Sequence, residues 1–216
     1  LELGLPSSFQ MFFEVSFFTF AIWVCGFLSK DAQAANQIAL NLSSMTFMVA
    51  MGLSVAATIR VGNQKGFKAF GELKRIALSV FLLTLLLDVV FAGVFVACNE
   101  WLPWLYLDSA TGLDTFAVAE LAGSLLFIAA FFQIFDGAQV VALGSLRGLQ
   151  DVRIPTWITF LAYVLIGVPV MLYLSVEAAM GARGVWIGLC LGLVVSSLLL
   201  YLRFRYLSNK LIRTNG

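Results

Sequence analysis

The stretch IALSVFLLTLLLDVVFAGVFVAC, residues 76–98, decides the fold class. A helix needs about 20 apolar residues to cross the hydrocarbon core of a bilayer, and this run is long enough. Its apolar residues are continuous and do not alternate with a period of two, so the run does not suit a strand of a membrane barrel. Backbone groups in lipid must pair internally, which a helix achieves within one segment. The stretch therefore predicts a transmembrane helix.

The whole chain has the composition of a polytopic helical membrane protein. Of its 216 residues 61% are hydrophobic and only 12% are charged, and its mean hydropathy is +0.97. A soluble domain would carry roughly a quarter charged residues. We predict an all-α fold in which residues 1–216 form a single six-helix transmembrane lobe. The six predicted spans are residues 7–28, 34–59, 76–98, 115–143, 156–176 and 184–204, to within about three residues.

Glycine and proline mark the interruptions between and within these spans. The run from Gly62 to Gly66 predicts a loop after the second span, and Pro155 can open the fifth, where its missing N–H costs little. Pro169 lies inside the fifth span beside Gly167 and predicts a kink there. Gly167 and Pro169 are therefore hinge candidates, although a static packing kink explains the pattern equally well.

The basic residues are distributed unevenly between the two sides of the predicted membrane. Eleven of the thirteen Lys and Arg fall in the loops after spans two and four and in the C-terminal tail. The positive-inside rule then places both ends of the chain in the cytoplasm. The opposite loop, residues 99–114, carries the acids Glu100 and Asp108. The basic loops could bind anionic lipid or a partner, but topology alone explains them. We expect no nucleic-acid partner.

Several kinds of chemistry have no residues to perform them. The chain contains no His, which removes imidazole metal sites and His proton switches. The run Gly62–Gly66 lacks the Gly-Lys-Ser/Thr ending of a phosphate-binding loop. We find no nucleophile–base set and no metal cluster in the sequence. We therefore expect a protein that is not an enzyme and needs no cofactor.

Three acids fall well inside the predicted spans: Glu14, Asp88 and Asp136. Such a residue costs about 2.5–3.5 kcal/mol to insert and is by default a functional candidate. At 1.5 Å per helical residue, Glu14 and Asp136 lie about 13 and 12 Å from the cytoplasmic end, and Asp88 lies about 18 Å in. We predict no Lys or Arg at that depth. Carboxylates without a basic partner can hold a proton, a metal cation or an organic cation and exchange one for another, which is the chemistry of a coupled antiporter.

Polar residues accompany two of these acids at helical spacing, whereas Asp88 has no such stripe and is only an additional candidate. The stripes suit a water-filled cavity, and ordinary interhelical hydrogen bonding is the alternative for the amides and Ser44. Aromatic rings beside a carboxylate also suit lipophilic organic cations. The predicted lining residues are Gln10, Gln37, Asn41, Ser44, Phe132, Gln133 and Gln139.

Longer segments carry a family resemblance. They are GLPSSFQMFFEVSFF (4–18), AANQIALNLSSMTFMVAMGLSVAATIRVGNQKG (34–66), FFQIFDGAQVVALGSLRGLQD (131–151), YVLIGVPVMLYL (163–174) and GARGVWIGLCLGL (181–193). In this order they resemble the multidrug and toxic compound extrusion (MATE) transporters, in particular the NorM type. The resemblance runs almost end to end and corresponds to the second six-helix half of a family that typically has twelve helices in two lobes.

The resemblance implies a function and a site. It implies efflux of cationic lipophilic molecules across the bacterial inner membrane, driven by sodium ions or protons, with the N-terminal six-helix lobe and membrane lipid as partners. It places the coupling-cation site at Glu14 and Asp136, where a sodium ion is the only metal implied. The chain departs from some NorM-type members at Phe132, where those members have a Tyr one turn before the Asp.

Two alternatives remain open at this stage. The first is a lipid-linked oligosaccharide flippase of the same superfamily, which should show cationic residues within its spans for phosphate groups; the predicted spans show none. The second is a non-transporting membrane scaffold or truncated remnant. The short chain favours that alternative, whereas Glu14, Asp136 and the polar stripes argue against it.

Overall fold

The computed structural model describes residues 4–107 and 115–215. Six helices in this part of the chain are long and apolar enough to cross a membrane, and the described residues form no strand. The prediction of an all-α fold with six spans is confirmed. Asp108, predicted for the acidic outer loop, lies outside the described residues. The helices are α1 (Gly4–Leu28), α2 (Lys30–Gly66), α3 (Phe70–Ala97), α4 (Thr115–Gly148), α5 (Arg153–Glu177) and α6 (Ala182–Asn215).

Helix α4 is the centre of the bundle. It packs against α2, α3 and α6, and its small and branched residues fill the space between them. The largest fully buried side chain is Trp186 on α6, whose indole Nε1 donates a hydrogen bond to Asn36 Oδ1 on α2 over 2.9 Å. This bond satisfies a buried donor and links α2 to α6 in the apolar core. The fold therefore fixes α2, α4 and α6 relative to one another.

Helices α2 and α4 approach each other closely because glycines on α4 face the α2 backbone. A Cβ added at Gly144 would collide with the backbone oxygen of Ser54, and one at Gly148 would lie 2.7 Å from the Thr58 carbonyl oxygen. The hydroxyl of Ser54 donates to the Val140 carbonyl over 2.7 Å, and that of Thr58 to the Gly144 carbonyl over 2.9 Å. Small residues and hydroxyl groups commonly hold membrane helices together in this way.

Gly144→Val is expected to destabilise the lobe. The added side chain meets backbone atoms, which cannot rotate away, so the two helices must separate. Overpacking of this kind costs about 3 kcal/mol, which lowers the midpoint of thermal unfolding by roughly 6–12 °C in a domain of this size. The measurement is the temperature at which half of the detergent-purified protein remains monodisperse.

Gly93→Val is the matched control for Gly144→Val. A Cβ added at Gly93 on α3 meets nothing within 4 Å, so the control carries the same change in helix propensity without a clash. Equal midpoints for the two variants would show that the close contact between α2 and α4 does not limit stability.

The prediction of a loop at Gly62–Gly66 is wrong, because α2 continues to Gly66. Gly62 packs against α4 instead, whereas a Cβ added at Gly66 would meet nothing within 4 Å. A Cβ added at Gly62 would lie 3.6 Å from the Gly148 backbone oxygen, and the Lys65 Nζ atom donates to the Leu149 carbonyl over 2.8 Å. The tertiary contact with α4 keeps the glycine-rich end of α2 helical although its intrinsic helix propensity is low.

Helix α5 changes its winding around the predicted kink. It is α-helical over Arg153–Leu161 and Val168–Leu172 and π-helical over Ala162–Gly167 and Tyr173–Glu177. Pro169 stands between the two wide segments, where its missing N–H interrupts the regular ladder. Gly167 lies against the Phe17 ring, which leaves no room for a Cβ. Bending at Gly167 and Pro169 during transport stays a prediction.

Candidate functional site

A cavity of about 310 Å³ lies among α1, α2 and α4 and is lined by both predicted coupling acids. Glu14 lines it from α1 and Asp136 from α4. The remaining polar lining consists of Ser43, Ser44 and Arg147. The apolar wall is formed by Met11, Val15, Phe18, Leu40, Phe47, Met51 and Phe132. The cavity thus combines two carboxylates with a largely hydrocarbon and aromatic surface.

Buried acceptors without protein partners occur at this cavity. Asp136 is only 5% exposed, and its Oδ1 atom has no hydrogen-bond partner among the described residues. The same holds for the hydroxyl oxygen of Ser43, which is also buried. A buried acceptor left unsatisfied is costly. A cation or a hydrogen-bond donor bound in the cavity would satisfy these oxygens.

The cavity also contains a guanidinium that the sequence did not place there. Helix α4 extends beyond the predicted end at 143 to Gly148, so Arg147 belongs to its last turn. The Nη2 atom of Arg147 donates to Gln10 Oε1 over 3.0 Å, one turn before Glu14 on α1. The sequence prediction left this basic residue out of the cavity, although Arg147 itself lies eleven residues, about 16 Å, along α4 from Asp136. Two carboxylates and one guanidinium leave the cavity with one net negative charge when all three are ionised.

The predicted lining residues are divided between three places. Ser44 and Phe132 line the cavity, and Gln10 lies buried beside it through its bond to Arg147. Gln37 and Asn41 stand on an exposed face of α2 together with Ser44. Gln133 and Gln139 are buried between helices and do not line the cavity: Gln133 Nε2 donates to the Asp88 carbonyl over 3.4 Å, and Gln139 Nε2 donates to the Tyr163 hydroxyl.

Tyr163 on α5 is a residue that the sequence gave no reason to select. Its ring stacks on Phe17 with centroids 4.6 Å apart and planes 10° from parallel. Its hydroxyl accepts the hydrogen bond from Gln139 and lies within electrostatic range of Glu14 and Asp136. A single Tyr in the apolar run YVLIG carries no periodic signal. Only the packing of α5 against α1 and α6, together with the hydrogen bond from Gln139 on α4, reveals this position.

These helices, their packing and the paired acids can be compared with known proteins. The MatE family model matches residues 6–172. The chain belongs to the MatE family. It is 38% identical over 213 residues to the probable multidrug resistance protein NorM of Acinetobacter baylyi, covering 98% of this chain and 46% of the relative. It is 39% identical over 212 residues to the multidrug resistance protein MdtK of Yersinia pestis, covering 96% and 45%.

Solved MATE structures share the fold of this MatE chain. One crystal structure of MATE in complex with MaL6 superposes with a TM-score of 0.90 at 17% identity, over 99% of this chain and 47% of that one. The eukaryotic MATE transporter AtDTX14 gives 0.85 at 22% identity, over 99% and 48%. The chain spans about half the length of the relatives and structures that it matches. It is a multi-pass membrane protein of a transporter family.

Within the MatE fold, Asp88 lies next to the helix that carries Asp136. It is 3% exposed on α3, and its carboxylate packs so closely against Gly137 that a Cβ there would collide with it. Its Oδ2 atom has no hydrogen-bond partner among the described residues. Like Glu14, Asp88 lies within electrostatic range of Asp136. Asp88 does not line the cavity and does not face lipid. It lies inside the bundle, where α3 and α4 meet.

Proposed function

We propose that the chain is the C-terminal lobe of a NorM-type multidrug efflux antiporter that exports lipophilic organic cations in exchange for sodium ions or protons. The observation that carries this proposal is the single cavity lined by Glu14 and Asp136. The family membership supports transport, and the names of the NorM and MdtK relatives support a multidrug cargo. The two carboxylates supply the negative charge that a coupling cation needs.

The proposed mechanism follows from the charge and the surface of the cavity. When both acids and Arg147 are ionised, the cavity carries one net negative charge, and one monovalent cation neutralises it. That cation is either the coupling ion or a singly charged drug. The rings of Phe18, Phe47 and Phe132 offer faces to an organic cation. Binding of the coupling ion shifts the transporter between states only if one state binds the ion more tightly. The two cations then exclude each other on charge grounds.

The opposite wall of the transport pathway comes, in this proposal, from the N-terminal lobe. Transporters built from repeats place their substrate site at the interface between the repeats. The exposed polar face of α2, with Gln37, Asn41 and Ser44, is the surface assigned to that interface. Polar residues on a transmembrane helix normally face protein or a water-filled cavity, not lipid.

Arg147 bears on the flippase alternative. A phosphate-bearing cargo needs an excess of positive charge, and Arg147 supplies one guanidinium. Glu14 and Asp136 outweigh it, so the cavity remains net negative and favours a cationic cargo. The charge balance therefore supports drug efflux over lipid-linked oligosaccharide transport.

The function is tested by joining this chain behind the first half of the Acinetobacter baylyi NorM relative and expressing the fusion in cells that lack their own efflux pumps. We expect faster ethidium efflux than in cells carrying the empty vector. In proteoliposomes, a sodium gradient alone or a pH gradient alone should drive the uptake of ethidium and so identify the coupling ion. A correctly inserted fusion that moves no ethidium under either gradient would contradict the proposal.

A further inference from the structure

Most Lys and Arg residues lie at the end of the bundle where α2, α4 and α6 finish. This end contains a groove that the transport proposal does not use. It lies between α3 and α6, has a volume of about 270 Å³, and includes Lys74 and Phe81 on α3. Helix α6 contributes Tyr201, Phe204, Arg205 and Ser208. The lining residues of α3 are four and three positions apart, and those of α6 follow the pattern i, i+3, i+4, i+7, so each helix presents one face to the groove.

The groove combines a cluster of aromatic rings with two cationic side chains: Arg205 directly follows Phe204, and Lys74 lies nearer the end of the bundle. Phe81 packs edge-on against Tyr201 with ring centroids 5.5 Å apart and lies 6.4 Å from the Phe204 ring. Lys74 stands in the second turn of α3, about 10 Å along the helix axis from Phe81 toward the end of the bundle. This order of charge and hydrocarbon matches an amphipathic ligand that is oriented like a membrane lipid.

The positive charges at the groove lack acidic partners. At the same end of the bundle, Arg75 pairs with Glu72 at 4.0 Å and Arg203 pairs with Asp151 at 2.8 Å. Among the described residues, no carboxylate lies within ion-pair distance of Lys74 or Arg205. The Lys74 Nζ atom donates only to the neutral amide oxygen of Asn209, over 3.3 Å. Lys74 and Arg205 are therefore two positive charges at one groove that no carboxylate of the described residues neutralises.

We propose that this groove binds an anionic phospholipid. Its phosphodiester lies between Lys74 and Arg205, and one acyl chain runs along Leu78 and Phe81. Basic pockets between transmembrane helices are a known means of holding anionic head groups. A free phosphate would pair with the two cations but would leave the rings of Phe81, Tyr201 and Phe204 uncovered. A lipid can contact both the cations and the rings. The site is independent of the cavity at Glu14 and of the transport proposal.

The test is a titration of short-chain phosphatidylglycerol into the delipidated, full natural polypeptide that carries this chain, with bound lipid counted by native mass spectrometry. We expect Lys74→Gln with Arg205→Gln to raise the Kd about 30-fold, because each basic residue near an anionic head group contributes about 1 kcal/mol and 1.4 kcal/mol is tenfold. The control pair Arg60→Gln with Lys68→Gln removes the same charge outside the groove and should leave the Kd unchanged. Phe81→Ala should also weaken lipid binding.

Several outcomes would overturn this assignment. An unchanged Kd in the double variant, or an equal loss in the control pair, would show that the groove is not the site. Displacement of the lipid by an equal concentration of inorganic phosphate would show a simple anion site. Equal affinity for zwitterionic phosphatidylethanolamine would remove the role of charge. If the double variant does not fold, each single variant should still raise the Kd about fivefold, by the same 1 kcal/mol per residue.

Discussion

Glu14→Gln and Asp136→Asn are each expected to reduce ion-driven ethidium efflux by roughly 5- to 150-fold. This range corresponds to the 1–3 kcal/mol by which one ligand typically biases the binding of another. Both substitutions keep the shape of the side chain and remove its charge, so the coupling ion loses its counter-charge while the cavity wall stays in place. The measurement is the initial efflux rate of the fusion described above, normalised to the amount of inserted protein.

The double variant Glu14→Gln with Asp136→Asn sharpens this test. Because both acids line one cavity, their effects should not add, and the double variant should be little worse than the more damaged single variant. Glu120→Gln is the control, since Glu120 is an exposed acid on the same helix as Asp136. Wild-type efflux in both single variants would show that these acids do not form the coupling site.

The sequence predicted the fold because its signals are local and strong. Each span is a long apolar run, and a lone acid such as Glu14 is conspicuous within it. The depth estimate placed Glu14 and Asp136 at nearly the same level, and the structure brings both to one cavity. Helix rise is nearly constant, so depth along a span can be counted from sequence even when lateral contacts cannot.

What the sequence could not supply depends on contacts between distant segments. The glycines at Gly62 and Gly66 look like loop residues in isolation, yet Gly62 packs against Gly148 on α4. For the same reason the end of α4 was placed too early, which left Arg147 in a loop and removed it from the charge balance of the cavity. The hydrogen bond between Gln139 and Tyr163 forms only when the folded bundle brings α4 and α5 together.

Arg147 also changes how the cavity is understood. Without it, Glu14 and Asp136 form an uncompensated pair of negative charges. With it, Gln10 holds a guanidinium one turn from Glu14, and in the proposed mechanism one monovalent cation neutralises the cavity when both acids are ionised. Low dielectric strengthens each of these charge interactions. In the proposed mechanism the cavity therefore exchanges one cation for another and does not accumulate several.

Asp88 provides the second test with a large expected effect on transport. We propose that its carboxylate, when ionised, strengthens cation binding at Asp136, because it packs against Gly137, the next residue after Asp136, and lies within electrostatic range of Asp136. Asp88→Asn keeps the volume and removes the charge. It should raise the half-saturating concentration of the coupling ion on the order of tenfold, since a charge interaction of about 1.4 kcal/mol would be lost. The maximal efflux rate should change little.

Gly137→Ala tests the same contact from the other helix. The added methyl group occupies the place of the Asp88 carboxylate, so the carboxylate must leave its contact with Gly137. We expect the ion dependence to shift in the same direction as in Asp88→Asn. Gly93→Ala is the matched control, because a Cβ added there meets nothing within 4 Å. Two results together would contradict the proposal: Asp88→Asn and Asp88→Leu both keep the wild-type ion dependence, and Gly137→Ala only lowers the amount of folded protein. Asp88 would then be a packing residue, and the proposed coupling site would consist of Glu14 and Asp136 alone.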